Sequence, residues 1–139
     1  MVIADTGFWI ALADRRDAFH EAATAAYDAI REPLITTWPI VTEACYLFLS
    51  RFGSKAQLSF LHAYAEGAFE IFEIEPGHVR RLEALLERYA DLPMDLAGAS
   101  LVLLAENLGH GRILSTDQRD FRTYRWKDRQ PFQNLLAVP

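Results

Sequence analysis

The sequence is poor in the features that mark several large protein classes. Of its 139 residues only one is a cysteine, Cys45. No disulfide can form within the chain, so a disulfide-stapled scaffold is excluded and a reducing compartment, the cytoplasm, is expected. The apolar neighbours of Cys45 mark it as a small core residue. Long apolar runs are missing too. The uncharged stretch 96–105 is about half the length a bilayer span requires, so no membrane segment is expected. No basic residues precede the apolar N-terminal residues, and a secretory signal is not expected. The four histidines, His20, His62, His78 and His110, share no ligand spacing. There is no GxxxxGK[ST], GxGxxG or HExxH motif, so the common phosphate-loop, dinucleotide and zinc-protease chemistries have no foothold. A basic excess is lacking as well: 14 Lys and Arg face 19 Asp and Glu, a net charge of −5. By itself that argues against a nucleic-acid surface.

What remains is an ordinary globular composition, 51% hydrophobic and 24% charged, of a length that suits one domain over 1–139. The apolar run Val2-Ile3-Ala4, ended by Asp5-Thr6-Gly7, reads as a buried strand and a turn, with a short helical turn over 8–12. Asp17 is placed to cap a helix over 18–31, whose inner face would carry Phe19, Ala23, Ala26, Tyr27 and Ile30. Residues 34–37 read as a second strand, and Trp38-Pro39 opens a helix over 40–51. Ser54 is the expected cap of a helix to 66, with Leu58, Leu61 and Ala65 inward. Strand character returns over 68–74. An amphipathic helix follows over 79–90, with Val79, Leu82, Leu86 and Tyr89 on one side. The helix 95–108 is apolar almost all round, which predicts burial on several sides. A short strand at 112–115, a polar and basic tail at 122–130 and a last strand within 132–138 complete the chain. Alternating strands and helices predict an α/β domain with a central, mostly parallel sheet of four to five strands flanked by helices.

Four acids stand out by position. Asp5 follows the first strand, Glu43 borders the apolar side of a helix, Asp95 opens the buried helix, and Asp117 follows the strand at 112–115. In a parallel α/β sheet, strand ends and helix N-termini converge at one edge, where these carboxylates could meet. Like charges oppose joint ionisation, so such a gathering calls for cations. All-oxygen ligands suit Mg²⁺ or Mn²⁺, which can activate water and stabilise charge on a phosphate. Four of the five net negative charges would then belong to one site, and bound metal would reverse the local sign. Each acid also has a plainer reading: Asp5 and Asp95 as helix caps, Glu43 as a solvated residue, Asp117 and Asp120 as loop residues. The stretch 119–129 interleaves Arg119, Arg122, Arg125, Lys127 and Arg129 with Tyr124 and Trp126, a pattern that can hold phosphates and stack bases or simply form a solvated loop. Tyr46, Phe48, Phe52, Phe60 and Tyr64 crowd the middle helices, as core or as a protein-binding surface.

Taken together, four stretches in order resemble the PIN domain family, including its VapC-type toxins: VIADTGFWIAL, Thr42-Glu43 after TTWPIV, LPMDLAGASLVLLAENLG, and ILSTDQRDF. The resemblance implies a single PIN-like domain over the whole chain. It implies a metal-dependent endoribonuclease that hydrolyses RNA phosphodiesters, with Asp5, Glu43, Asp95 and Asp117 as catalytic metal ligands and Asp120 as a further candidate. It gives Thr6 the role of orienting the Asp5 carboxylate. Ser115 departs from the threonine common at that place, with Thr116 beside it as a further supporting hydroxyl. Arg119, Arg122 and Arg125 become RNA-binding candidates. A homodimer and an antitoxin that inserts an arginine at the acidic site are the implied partners. The alternatives are a PIN-fold module that binds nucleic acid or protein without catalysis, and a receiver-like phosphoacceptor domain. The receiver domain's usual acidic pair and lysine are absent, and a haloacid-dehalogenase-like phosphatase would require a second Asp at position 7, where Gly7 stands.

Overall fold

The computed structural model describes residues 1–138. Its centre is β1 (Val2–Ala4), whose three residues are all fully buried. Successive strand residues point to opposite faces, so complete burial of all three means that both faces of the sheet are covered. β1 runs into α1 (Thr6–Ala13), and α2 (His20–Ala29) leads to β2 (Leu34–Thr37). Then come α3 (Trp38–Phe52), α4 (Ser54–Ala65), β3 (Glu70–Phe72), α5 (Val79–Arg88) and α6 (Leu96–Leu108). The chain closes with β4 (Arg112–Leu114), α7 (Gln118–Thr123), the short pair β5 (Arg125–Trp126) and β6 (Gln130–Pro131), and β7 (Gln133–Asn134). The main sheet has five strands in the order β3-β2-β1-β4-β7, all parallel, and β5 and β6 form a separate antiparallel ribbon.

The order fixes where a ligand can sit. From β1 the chain moves outward to β2 on one side, and β4 pairs with β1 on the other. The crevice at the carboxyl ends of β1 and β4 is therefore the topological switch point of the sheet. Both strands end in an acid-bearing segment, at Asp5 and at Ser115 to Asp117.

The apolar helix predicted at 95–108 is α6, and it is buried from Ala99 through Ala105 without a break. Packing against β1, β2, α3 and α5 explains why apolar residues go round it. Hydroxyls tie the layers together: Thr36 donates to the Ala4 carbonyl (2.8 Å), and the Thr37 and Ser100 hydroxyls lie 2.6 Å apart.

Several local expectations change. Asp17 does not cap α2 directly; its carboxylate accepts from the Phe19 N–H (2.8 Å) in the turn before it. Ser54 is the first helical residue of α4, not its cap. The preceding Gly53, at φ 94°, joins α3 to α4 in a single residue, and only glycine enters that conformation readily. On α4 the inward residue is Phe60, while Leu58 and Leu61 are exposed at 62% and 38%. Phe60 lies 5.6 Å from Trp9, 5.1 Å from Phe48 and 5.2 Å from Phe69, ring centre to ring centre. One large ring in an aromatic cluster outweighs two leucines at the surface. Tyr27 and Val79 are likewise exposed, and Leu85 takes the inner place on α5 that Val79 was expected to hold.

Leu104 of α6 is fully buried in the hydrophobic core. Leu104→Ala is expected to lower unfolding stability by about 2–5 kcal/mol, measured by urea denaturation.

Candidate active site

Three of the four acids are helix N-caps and cleft residues at once. Asp5 caps α1 by accepting from the Thr6 N–H (2.7 Å). Asp95 caps α6 by accepting from the Gly98 N–H (2.8 Å), and Asp117 caps α7 by accepting from the Asp120 N–H (3.0 Å). The caps use one oxygen, Oδ1, in each residue. The alternatives posed by the sequence, cap or site, are therefore not exclusive. Glu43 reaches the same cleft from α3. Asp5, Glu43, Asp95, Asp117 and Asp120 line a polar pocket of about 130 Å³, together with Pro93, Ala97, Gly98, Phe121 and Tyr124. A second lobe of about 270 Å³ shares Asp5, Glu43 and Asp117 and is lined also by Gly7, Thr116, Asp17 and Arg51.

Ser115 joins the two strand ends. Its buried hydroxyl donates to Asp5 Oδ2 (2.7 Å) and accepts from the Asp117 N–H (3.0 Å). The hydroxyl expected to orient Asp5 was that of Thr6. It does not: Thr6 contributes its backbone N–H, and its buried Oγ1 has no hydrogen-bond partner among the described residues. Ser115 follows β4, the strand paired with β1, and its hydroxyl reaches Asp5 from there. Thr116 makes no hydrogen bond to the acids among the described residues and instead packs against Gly7. A Cβ at Gly7 would stand 1.8 Å from the Thr116 hydroxyl, so glycine is required there for close approach.

Asn134 belongs to the site and carried no signal in the sequence. From β7 its amide clamps Ser115, accepting from the Ser115 N–H (3.2 Å) and donating to its carbonyl (2.9 Å). Gly7 could have been found: it lies within α1, where glycine is otherwise unfavourable. Of the basic candidates, Arg119 and Arg122 are exposed. The Arg125 guanidinium is turned inward onto the carbonyls of Arg122 and Tyr124, at 2.8 and 3.0 Å, closing the end of α7. That use of Arg125 is structural.

Burial is the main cause that raises the Asp5 carboxyl pKa, to about 6. The charges of Glu43 and Asp117 add to it, against the hydrogen bonds from Ser115 and Thr6. Asp120 is also raised, by burial first and then by Asp117. Crowded carboxylates of this kind favour either a shared proton or a cation. Among the described residues no three His, Cys, Asp or Glu side chains stand close enough to hold a metal ion directly. The acids ring the cleft rather than meeting at one point. The donor set is nevertheless all oxygen, the kind that fits a hard divalent ion bound through a few carboxylates with water completing its shell.

An α/β domain with acids at the switch point of a five-stranded parallel sheet defines a class, and comparison with known proteins agrees. The PIN domain family model matches residues 2–127, and the chain belongs to that family. Among curated proteins, ribonuclease VapC26 of Mycobacterium tuberculosis is 28% identical over 124 residues, which cover 89% of this chain and 92% of the relative. Among solved structures, that of Mycobacterium tuberculosis VapC20, a toxin that cleaves the sarcin-ricin loop, superposes with a TM-score of 0.79 at 18% identity. The match covers 86% of this chain and 92% of that one, and shows the same fold. No described helix is long and apolar enough to cross a membrane.

A carboxyl with a raised folded pKa binds more protons folded than unfolded, so its contribution to stability is lost as pH rises. For Asp5 that window runs from its ordinary value of 3.8 through about 6. In chelator, the unfolding stability of Asp5→Asn relative to wild type is expected to improve by about 2–3 kcal/mol between pH 4 and pH 7.5. Urea denaturation at the two pH values measures it; an unchanged difference would mean that the Asp5 carboxylate is as well hydrated folded as unfolded.

Proposed function

We propose that the chain is a Mg²⁺- or Mn²⁺-dependent endoribonuclease that hydrolyses RNA phosphodiester bonds, acting in the cytoplasm as the toxin of a type II toxin–antitoxin pair. The observation that carries this reading is the gathering of Asp5, Glu43, Asp95 and Asp117, from four separate elements, into one cleft of a PIN domain. The similarity to a protein named as a ribonuclease supports the substrate class.

Asp5, Glu43, Asp95 and Asp117 line the place where the metal would bind, through few direct carboxylate contacts and otherwise through water, with Asp120 beside them. When bound, such an ion supplies an activated water and stabilises the charge that develops on the phosphate. The chain supplies geometry. Ser115 and the Thr6 N–H hold the two oxygens of Asp5 in fixed directions, and the Gly98 N–H and Asp120 N–H do the same for one oxygen each of Asp95 and Asp117. Preorganised ligands need not be ordered when substrate arrives. Arg51, in the second lobe, and the exposed Arg119, whose charge acts on Asp120, offer positive charge to the RNA backbone beside the acids, and the exposed Arg122 lines a separate groove with Arg125 and Phe132.

Two protein partners follow from the same reading. An apolar groove of about 520 Å³ between α1, α2, α3 and α4 is lined by Trp9, Phe48, Phe52 and Phe60 and suits an antitoxin segment. The exposed apolar residues Tyr46, Leu49, Leu58 and Leu61 on α3 and α4 suit a second copy of the chain.

Partner-free protein is expected to cleave members of a broad RNA panel with Mg²⁺ or Mn²⁺, to leave 5′-phosphate ends, and to stop when EDTA is added. Asp5→Asn is expected to lower the rate by at least about 100-fold, as loss of a group that orders the reacting centre does, with an unchanged circular-dichroism spectrum. Absence of metal-dependent cleavage across the panel would remove this reading.

A further inference from the structure

α7 stands between the acid cleft and a second groove. Asp117, Asp120 and Tyr124, at spacings of three and four, line the cleft from one side of the helix. Gln118, Arg122 and Arg125, at the same spacings from another starting point, line a groove of about 350 Å³ together with Phe132 and Asn134. Phe121 lines both. The groove also reaches the acids from below. Gln118 Nε2 (3.2 Å) and Asn134 Nδ2 (2.9 Å) both donate to the Ser115 carbonyl, and the hydroxyl of the same serine donates to Asp5. One residue therefore separates this groove from the carboxylate at the end of β1.

Its charge is unlike that of its surroundings. In a chain of net charge −5, the groove is lined by two arginines and no carboxylate. The lobe that holds Arg51 also holds Asp5, Asp17, Glu43 and Asp117, and the hollow at Arg31 holds Asp28 and Glu32. The exposed Arg122 enters none of the ion pairs among the described residues, and neither does Arg125. Arg125 is held by Nη1 on the carbonyls of Arg122 and Tyr124, which fixes its positive charge in the wall. Phe132 supplies the apolar surface. It is half-buried, and its ring meets Phe121 edge-on at 5.1 Å, centre to centre, with an interplanar angle of 78°. A ring anchored on one side and lining a cationic groove is the combination that takes an unpaired base with its phosphate.

We propose that this groove is a nucleotide subsite for single-stranded RNA, with the base of a nucleotide flanking the scissile bond against Phe132 and its phosphate on Arg122. The inference rests on the ribonuclease reading above and names where the strand runs beside the acids. A helix with its side chains is about 10–12 Å across, so the strand need only pass over α7 to place a neighbouring phosphodiester in the acid cleft. An unpaired strand can do this, because its bases are free to leave the stack; a duplex cannot present a base to Phe132.

Cleavage of a panel of single-stranded RNAs with Mg²⁺ or Mn²⁺ is expected to show KM raised about five- to tenfold in Phe132→Leu, the cost of losing one stacked base, with kcat unchanged and Phe132→Tyr near wild type. Binding of a short fluorescein-labelled oligoadenylate in EDTA, read by anisotropy, is expected to weaken by the same factor. An abasic ribose-phosphate oligomer should bind wild type and Phe132→Leu equally, which a general loss of structure would not allow. Arg122→Gln, at an exposed position, is expected to lower the slope of log affinity against log salt by about 0.7, the share of one phosphate contact on a single strand. An unchanged KM for Phe132→Leu in an active enzyme overturns this inference alone, as does an equal loss of affinity for the abasic oligomer. Displacement of the oligoadenylate by polyglutamate as readily as by unlabelled RNA would assign the groove to an acidic protein segment and also overturns it. Wild-type protein that neither binds nor cleaves RNA overturns the ribonuclease reading, and this inference with it.

Discussion

One buried hydroxyl couples the two strand ends on which the cleft depends. Ser115 donates to Asp5 and accepts from the backbone of Asp117, so the end of β1 and the end of β4 are held by the same oxygen atom. The arrangement answers an electrostatic problem. Asp5 is partly buried beside other acids, and burial alone makes its charge costly. The Ser115 hydroxyl and the Thr6 N–H work in the opposite direction, favouring the charged form. Ser115 is itself immobilised by the Asn134 amide from the neighbouring strand β7. A residue far along the chain thus sets the direction of the acid at position 5.

The helices contribute in a second way. Asp5, Asp95 and Asp117 each sit at a helix N-terminus, where unpaired N–H groups favour negative charge. Each carboxylate is held by a backbone N–H and still faces the cleft. Asparagine caps a helix about as well as aspartate does. An Asp→Asn change at these positions therefore removes charge while keeping the cap, and separates the chemical role of the residue from its structural one. Asp→Ala removes both and cannot tell them apart.

Much of this was legible in the residues. β2 falls where its β-branched residues indicated, and the all-round apolar pattern of α6 announced its burial. The four acids could be placed because topology brings strand ends and helix starts to one edge. What could not be read depended on contacts between distant segments. Nothing in Asn134 itself tells of Ser115, 19 positions away. Thr6 is adjacent to one acid and Ser115 lies two residues before another, and only the turn of the chain after each strand decides which hydroxyl reaches Asp5. On α4, Leu58 and Leu61 matched a helical stripe as well as Phe60 did, and the aromatic cluster with Trp9, Phe48 and Phe69 decided which side went inward. Arg125 has the composition of a phosphate-binding residue and is used to close a helix.

The ribbon after α7 shows how the segment following the cleft is anchored to the helices. Lys127 and Asp128 both have positive φ, at 50° and 63°, a conformation that disfavours side chains. The turn is held by its partners. Glu106 of α6 accepts from the Lys127 N–H and pairs with Arg81 through two hydrogen bonds, while Asp128 accepts from Arg81 and Arg88 of α5. The Arg81–Glu106 pair is the less exposed and the bidentate one, so it should carry more than the solvent-facing Arg88–Asp128 contact. This network binds α5, α6 and the ribbon into one body, and Tyr89 links that body to the segment carrying Tyr124. Two supports of different kinds therefore meet at the acids: a hydrogen-bonded clamp from β7 acting on Asp5 and Asp117, and an aromatic and ionic brace from α5 acting on the side of Asp120.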